Sequence, residues 1–207
     1  MTIPSSFPNA LRDRQIAVVD VESNGQNPPE IIEIAVLPVD GPVTTGALRS
    51  WLIKPQQPVT PIVTRKVHGI TNADLADCPQ WNEAVEEIES ALCGRVLVAH
   101  NATVERRVLA AHLPDWNPPL ILDTLRLAKS IWRGLDSYAL DKLIERGQLD
   151  TTAFAGQGHH RAGYDTWATW QLLSALVNDS GLNWPGVIEA AGLSGFRTAP
   201  EPEGGLW

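Results

Sequence analysis

Two acidic residues interrupt an apolar segment near the start of the chain. The segment reads IAVVDVESNG from Ile16 to Gly25, and its apolar run predicts a buried strand. Asp20 and Glu22 stand two positions apart, so they share one face of that strand. Burying one unpaired carboxylate is costly and a second adds repulsion, so such a pair protonates, meets a cationic side chain or binds a metal. From this pair alone, a solvated strand end is equally favoured.

A histidine and an aspartate stand close together near the other end of the chain. The segment GHHRAGYDTWATW places His160 five positions before Asp165, at the start of a predicted helix. Five helical steps rotate a side chain by about 140° net, so the two converge only if the preceding loop folds His160 back. A loop histidine beside a helical aspartate suits a proton acceptor next to a metal ligand. Taken alone, a surface pair or a helix cap is the more favoured interpretation.

The elements that would position these residues form a strand meander followed by alternating strands and helices. This order predicts an α/β fold, with a mixed sheet of antiparallel and parallel strands and helices packed on its faces. Strands are predicted in QIAVVDV, IIEIAVLPV, ALRSWLIKP, RVLVAH and PPLILDT, and helices over residues 79–93, 101–113, 124–132, 137–146 and 161–177. Asn101 is predicted to cap the second of these helices.

The composition is that of a soluble globular protein. The chain has 207 residues, of which 43% are hydrophobic and 19% charged. We expect a leader over residues 1–14, one domain over 15–178 and a partly disordered C-terminal extension over 179–207. The sequence shows no apolar run of membrane-spanning length and no secretory signal pattern. Cys78 and Cys93 are too few for a disulfide framework, which predicts reduced thiols in a cytoplasmic protein.

The charge of the chain bears on its partners. The net charge of −8 argues against a protein that coats nucleic acid with a broad basic surface. It does not exclude an enzyme that binds only a short end of a nucleic acid, because bound metal ions can supply positive charge.

Six motifs, in order, resemble those of the DEDDh (DnaQ-like) 3′→5′ exonucleases. They are DVESNG, VHGIT, LVAHNATVERRVL, ILDTLRLAK, SYALDKLIERG and HHRAGYD, within about residues 15–177. That family includes the proofreading subunit of bacterial replicative DNA polymerase, oligoribonuclease and RNase T. The resemblance implies an RNase H-like fold and a two-metal reaction, with Mg²⁺ or Mn²⁺, that releases 5′-mononucleotides from a 3′ end of DNA or RNA.

The resemblance also implies roles for individual residues. The metal-binding acids are Asp20, Glu22, Glu105 and Asp165. Asp20 would bridge both ions, Glu22 and Asp165 would hold the ion that binds the attacking water, and Glu105 would serve the other.

The family's general base matches His160, five positions before the last aspartate. His159 is off by one position and is the weaker candidate. A sister subgroup has tyrosine four positions before the aspartate, where this chain has Arg161, so Tyr164 does not fit and the histidine subgroup is preferred.

The second acidic motif departs from the family pattern. Where the family has His-Asn-Ala-x-Phe-Asp, residues 100–105 read HNATVE, so Glu105 replaces an aspartate and is one methylene longer. This change would weaken the binding of one metal ion or alter which metal is preferred, unless the helix that carries Glu105 sits slightly further back. It motivates the rival hypothesis of a binding or scaffolding module with weakened or lost catalysis. An unrelated metal phosphohydrolase is a third, less favoured hypothesis.

Several other residues fall in family motifs around the site. Ser23, Asn24, His68 and Asn101 are predicted to contact substrate. The alternatives are a plain turn for Ser23 and Asn24, a structural role for His68 and a helix cap for Asn101. Asp123 would either support the metal shell or cap the helix that follows it.

The predicted partner is a single strand or a 3′ end of nucleic acid. The residues do not decide between DNA and RNA. Family members include homodimers and subunits of polymerase or repair complexes, so both kinds of protein partner stay open. The tail PEPEGGLW offers Leu206 and Trp207 as a docking element, or has no such role. No membrane association is expected.

Overall fold

A computed structural model describes residues 7–154, 156 and 158–195 of the chain. Its strands are β1 (Ile16–Ser23), β2 (Ile31–Val39), β3 (Arg49–Leu52), β4 (Val96–Ala99) and β5 (Ile121–Asp123). They form one five-stranded sheet of the order β3-β2-β1-β4-β5. The first three strands form an antiparallel meander, while β4 and β5 run parallel to β1. The predicted mixed α/β sheet is confirmed.

Helices cover the sheet on both sides. They are α1 (Pro61–Val63), which continues into a π-helical turn over Thr64–His68, then α2 (Trp81–Leu92), α3 (Thr103–His112), α4 (Thr124–Ile131), α5 (Leu140–Gly147), α6 (Ala162–Ser180) and α7 (Trp184–Ala191). Within the described ranges, no helix combines the length and hydropathy needed to cross a bilayer.

The central strand β1 serves both halves of the core. Ile16 and Val18 pack into a cluster that includes side chains of α4, α6 and α7. Ala17 and Val19 point to the other face, into a cluster with side chains of α2 and α3. Because side chains alternate along a strand, Asp20 continues the row that faces α6.

The long helix α6 is largely buried. Leu172, Leu173 and Leu176 are fully buried, and the helix packs against both β1 and β2. This burial fixes the start of α6 over the C-terminal part of β1, where the two acids lie. The helix thereby delivers residues from the last third of the sequence to the first strand.

The prediction that Asn101 caps α3 is wrong. The N-cap position belongs to Ala102, and no side chain caps this helix. Asn101 instead has a left-handed backbone (φ 66°), and its N–H donates to Oδ1 of Asp123. Asn tolerates this conformation better than most residues, so the chain uses Asn101 to turn from β4 into α3.

Described residues of the predicted leader and of the predicted extension contribute to the core. Leu11, within the predicted leader, is fully buried, as are Val187 and Ala191 of α7 in the predicted extension. The N–H of Leu193 also donates to the carbonyl of Ile121 in β5. The domain boundaries stay predictions. Residues 1–6 and the proposed docking residues Leu206 and Trp207 lie outside the described residues.

Candidate active site

Residues from both ends of the domain meet where β1 ends and α6 begins. Glu22 lies near the end of β1 and Asp165 in the first turn of α6, and both are buried. One ligand atom each from Glu22, His160 and Asp165 lies within 4.8 Å of the other two. The loop before α6 therefore folds His160 back towards the acids, as the spacing required.

Asp20 lies among the other carboxylates. Burial and the negative charges of Asp165, Glu22 and Glu105 raise the pKa of Asp20 well above its usual range. Burial, followed by repulsion from Asp165, raises the pKa of Glu22 to about 8. Burial also raises the pKa of Asp165, opposed by the hydrogen bond from the His160 N–H. The four predicted ligands thus form one group, in which the other three negative charges act on Asp20.

Glu105 joins this group despite its extra methylene. It lies buried in the first turn of α3, directly after the turn that follows β4. Burial raises the pKa of its carboxyl to about 8. Its Oε2 is buried and has no hydrogen-bond partner among the described residues. A buried carboxylate oxygen without a partner, whose charge raises the pKa values of Asp20 and Glu22, fits a hard divalent cation such as Mg²⁺ or Mn²⁺, which binds oxygen ligands.

The two histidines before α6 have different geometries. His160 adopts a left-handed backbone (φ 62°), and its N–H donates to Oδ2 of Asp165 at 2.8 Å. The Nδ1 of His159 lies 3.8 Å from Oδ1 of Asp165, and its ring packs edge-on against Tyr164, with centroids 5.0 Å apart. Only His160 belongs to the ligand-atom cluster that includes Glu22. The geometry therefore favours His160 over His159 as the proton acceptor.

Two residues beside the site were missed as functional candidates. Glu33 of β2 lies directly opposite Glu22 of β1, and it is buried. The Arg161 guanidinium donates twice to it, from Nε to Oε2 at 3.1 Å and from Nη2 to Oε1 at 2.9 Å. The available signal was Glu33 itself, a single acid within the apolar run IIEIAV. From the sequence, Arg161 serves only to exclude the tyrosine subgroup.

Asp123 has one of the two roles considered for it, the helix cap, while its support of a metal shell stays a prediction. Its Oδ1 accepts from the N–H of Leu125 at 2.9 Å, which confirms the predicted cap of α4. The same oxygen accepts from the N–H of Asn101 at 3.0 Å. Asp123 also contributes to the raised pKa of Glu105. It therefore supports the turn that leads to Glu105.

His68 has the geometry of a structural histidine. Its Nε2 donates to the carbonyl of Ser23 at 3.2 Å, and its Nδ1 accepts from the N–H of Ile70 at 3.0 Å. Burial lowers the pKa of this imidazole. His68 thus ties the loop after α1 to the end of β1, next to the acids.

Asn24 is fully buried and organises the turn after β1. Its side chain bonds to Glu30, Gln26 and the carbonyl of Gln57. This favours the turn interpretation for Asn24, whereas Asn101 is exposed. The substrate contacts of Ser23, Asn24, His68 and Asn101 stay predictions.

Comparisons with known proteins agree with this geometry. Residues 17–173 match an exonuclease family. Exodeoxyribonuclease 10 of Escherichia coli is 34% identical over 167 residues, which is 80% of this chain and 70% of that protein. A PolC-type DNA polymerase III of Bacillus cereus is 30% identical over 176 residues, which is 82% of this chain but 12% of that polymerase.

Solved structures give the same result. Exonuclease X in complex with 5′ overhanging duplex DNA superposes with a TM-score of 0.69 and 30% identity, covering 84% of this chain and 98% of that one. The nuclease domain of 3′hExo, a DEDDh family member bound to rAMP, has a TM-score of 0.60 and 15% identity over 82% of this chain and 94% of that one. The second likeness supports the fold alone.

Proposed function

The chain belongs to the exonuclease family, and we propose that it is a 3′→5′ exonuclease that releases 5′-mononucleotides from DNA. One observation supports this most strongly. Burial and the negative charges of Asp165, Glu22 and Glu105 raise the pKa of Asp20, and one ligand atom each from Glu22, His160 and Asp165 lies within 4.8 Å of the other two. Such an arrangement of cation ligands and a proton acceptor suits the metal-assisted hydrolysis of a phosphodiester.

The proposed cation ligands are Asp20, Glu22, Glu105 and Asp165. The atoms that would bind the cation are all carboxylate oxygens, which suit Mg²⁺ or Mn²⁺. A bound cation would lower the raised pKa values of these carboxyl groups. When bound, two such ions would activate a water molecule and stabilise the charge that develops on the phosphate. The number and identity of the ions belong to the proposal.

The proposed proton acceptor is the imidazole of His160. In its neutral form it takes a proton from the attacking water, whose oxygen then bonds to the terminal phosphorus. The bond from phosphorus to the 3′ oxygen of the preceding nucleotide breaks, and that oxygen leaves with the shortened strand. Asp165 accepts a hydrogen bond from the backbone N–H of His160, so it orients this residue during proton transfer.

DNA is the proposed substrate. Exodeoxyribonuclease 10 is named for DNA, and the structure of Exonuclease X at 30% identity holds duplex DNA with a 5′ overhang. We propose that this chain acts on 3′ ends, either single-stranded or recessed beneath such an overhang. The net charge of −8 is consistent with contacts limited to a short end.

The rival hypothesis of lost catalysis is not favoured. It rested on Glu105, whose carboxylate nevertheless lies buried with the other acids. Membership of an exonuclease family also speaks against an unrelated metal phosphohydrolase. Three further predictions stay proposals: a homodimer, a polymerase or repair complex, and a cytoplasmic location. Both cysteines are free thiols, which is consistent with the last of these.

Digestion of end-labelled oligonucleotides tests the proposal. A 3′ label should leave at once as a mononucleotide in Mg²⁺ or Mn²⁺, while a 5′ label should persist in a ladder of shortening strands. Asp20→Ala should abolish both patterns, whereas Asp115→Ala, at an exposed acid, should not. Internal cuts, release from the 5′ end or full activity of Asp20→Ala would refute the proposal. Matched RNA strands in the same panel test the choice of DNA.

A further inference from the structure

We propose that Glu33 and Arg161 are positioning residues that hold His160 in its catalytic orientation. This inference rests on the exonuclease function proposed above. Glu33 lies next to the cation ligands but both of its oxygens accept from N–H donors of the segment that follows His160. It is therefore suited to fixing that segment and not to binding a cation.

The contacts of Glu33 form a three-point attachment. Besides the two bonds from Arg161, the backbone N–H of Ala162 donates to Oε2 at 3.1 Å. Ala162 is the first residue of α6, where a carboxylate also meets the positive end of the helix dipole. The residues directly after His160 are thus fixed to the sheet through the Glu33 side chain, which is only 4% exposed.

His160 needs such fixation because its backbone conformation is disfavoured. Its φ of 62° lies in the left-handed region, which residues other than glycine rarely adopt. Asp165 holds the N–H of His160 on one side, and Glu33 holds the next two residues on the other. Without Arg161, the backbone at residue 160 would relax and the imidazole would move away from Glu22 and Asp165.

Arg161 has a second effect on the same group of acids. Glu33 stands directly opposite Glu22 in the sheet, so its charge would repel that proposed ligand. The guanidinium of Arg161 neutralises the charge of Glu33 through two hydrogen bonds. The planar guanidinium of arginine matches both carboxylate oxygens better than the ammonium of lysine would. Arginine is therefore better suited to position 161 than lysine.

The surroundings of Arg161 allow an external test. A cavity of about 550 Å³ borders the pair and is lined by Glu33, Arg161, Gly163, Trp51 and Phe154. The Arg161 side chain is 34% exposed. A small guanidinium ion from solution can therefore reach Glu33 when the side chain of Arg161 is removed.

The experiment measures steady-state digestion of a labelled DNA oligonucleotide. Arg161→Ala should lower kcat by about 100-fold, the size of effect expected for a displacement of ~1 Å, with smaller changes in KM and in the Mn²⁺ requirement. Methylguanidinium at non-denaturing concentration should raise the kcat of Arg161→Ala by at least about 10-fold. Arg161→Lys should fall between the wild type and Arg161→Ala.

Arg95→Ala is the matched control. It removes another bidentate pair, in which Nη1 and Nη2 of Arg95 donate to Asp40 at 2.7 and 2.9 Å, at the opposite end of β1. It should leave kcat unchanged and gain nothing from methylguanidinium. A purely structural role for Arg161 predicts the same behaviour in both variants, with any loss of activity following the loss of folded protein.

Hydrogen exchange of the His160 amide provides a readout that does not require activity. The proposal predicts faster exchange at His160 in Arg161→Ala than in the wild type or Arg95→Ala, while the middle of α6 stays protected. Unchanged exchange, or a kcat within about 3-fold of the wild type, would overturn the inference. Inactive wild-type protein with accelerated exchange in Arg161→Ala would refute the exonuclease proposal but support positioning of His160.

Discussion

The backbone N–H of His160 donates to Oδ2 of Asp165 at 2.8 Å. This single bond joins the proposed proton acceptor to a proposed cation ligand. A regular helix would place the two side chains about 140° apart. The left-handed turn at His160 instead returns the imidazole to the face that Asp165 occupies.

The first prediction separates the two histidines. His160→Ala should lower kcat by about 10²–10⁴-fold, the usual contribution of general base catalysis. His159→Ala should cost less than about 10-fold, because His159 lies outside the cluster that includes Glu22. Steady-state rates in saturating Mn²⁺ and DNA measure both. A larger loss for His159→Ala than for His160→Ala would contradict the assignment.

The second prediction concerns the longer acid in α3. Glu105→Gln should raise the concentration of Mg²⁺ needed for half-maximal activity by at least about 10-fold, because the change removes a buried anionic ligand. Glu105→Asp should also raise the concentration of Mg²⁺ needed for half-maximal activity, since the shorter side chain would no longer reach the group. Metal titrations of activity and calorimetry measure this effect, with the exposed Glu89→Gln as the control. Improved metal use by Glu105→Asp would show that Glu105 impairs the site.

The third prediction is a pH dependence of metal binding. Glu22 and Glu105 have pKa values of about 8 in the folded protein, against ordinary values of 4.5. Between these values the folded state keeps protons that the unfolded chain has released, so the metal-free protein becomes less stable as pH rises. Cations compete with these protons, so their affinity should increase up to about pH 8.

Thermal unfolding with and without Mg²⁺ checks this sign. At about pH 9, a cation concentration about 100 times Kd should raise Tm by about 5–10 °C. The same concentration at about pH 6 should raise Tm by less, because protons still occupy the acids. Glu22→Gln should reduce the difference between the Tm increases at the two pH values. Equal or greater stabilisation at the lower pH would contradict the raised pKa values.

The fourth prediction concerns α7, within the predicted extension. Val187 is fully buried in the cluster that also contains residues of α4 and α6. Val187→Ala should therefore lower the free energy of unfolding by about 2 kcal/mol. Chemical denaturation measures this change, with the exposed Glu189→Ala as the control. An unchanged free energy for Val187→Ala would place α7 outside the folded domain.

Strand and helix periodicity accounted for much of the arrangement. The apolar run of β1 placed Asp20 and Glu22 on one face before any contact was known, because side chains alternate along every strand. The order of elements likewise predicted the mixed sheet, since short connections make antiparallel neighbours and helical crossovers make parallel ones.

Contacts between distant segments were not readable in the same way. The Glu33–Arg161 pair depends on the register of β1 against β2 and on where α6 begins, and neither follows from local pattern. Asn101 was predicted as a cap because its residue type suits both a cap and a left-handed turn. The packing of α7 depends on a core that only the assembled sheet creates.

Anomalous diffraction from crystals soaked in Mn²⁺ tests the central claim most directly. We predict Mn²⁺ peaks bound by oxygens of Asp20, Glu22, Glu105 and Asp165 at about 2.0–2.3 Å, with the His160 imidazole facing the same cleft. Absence of Mn²⁺ from this cleft at saturating concentration, or peaks that none of these four carboxylates contacts, would contradict the account.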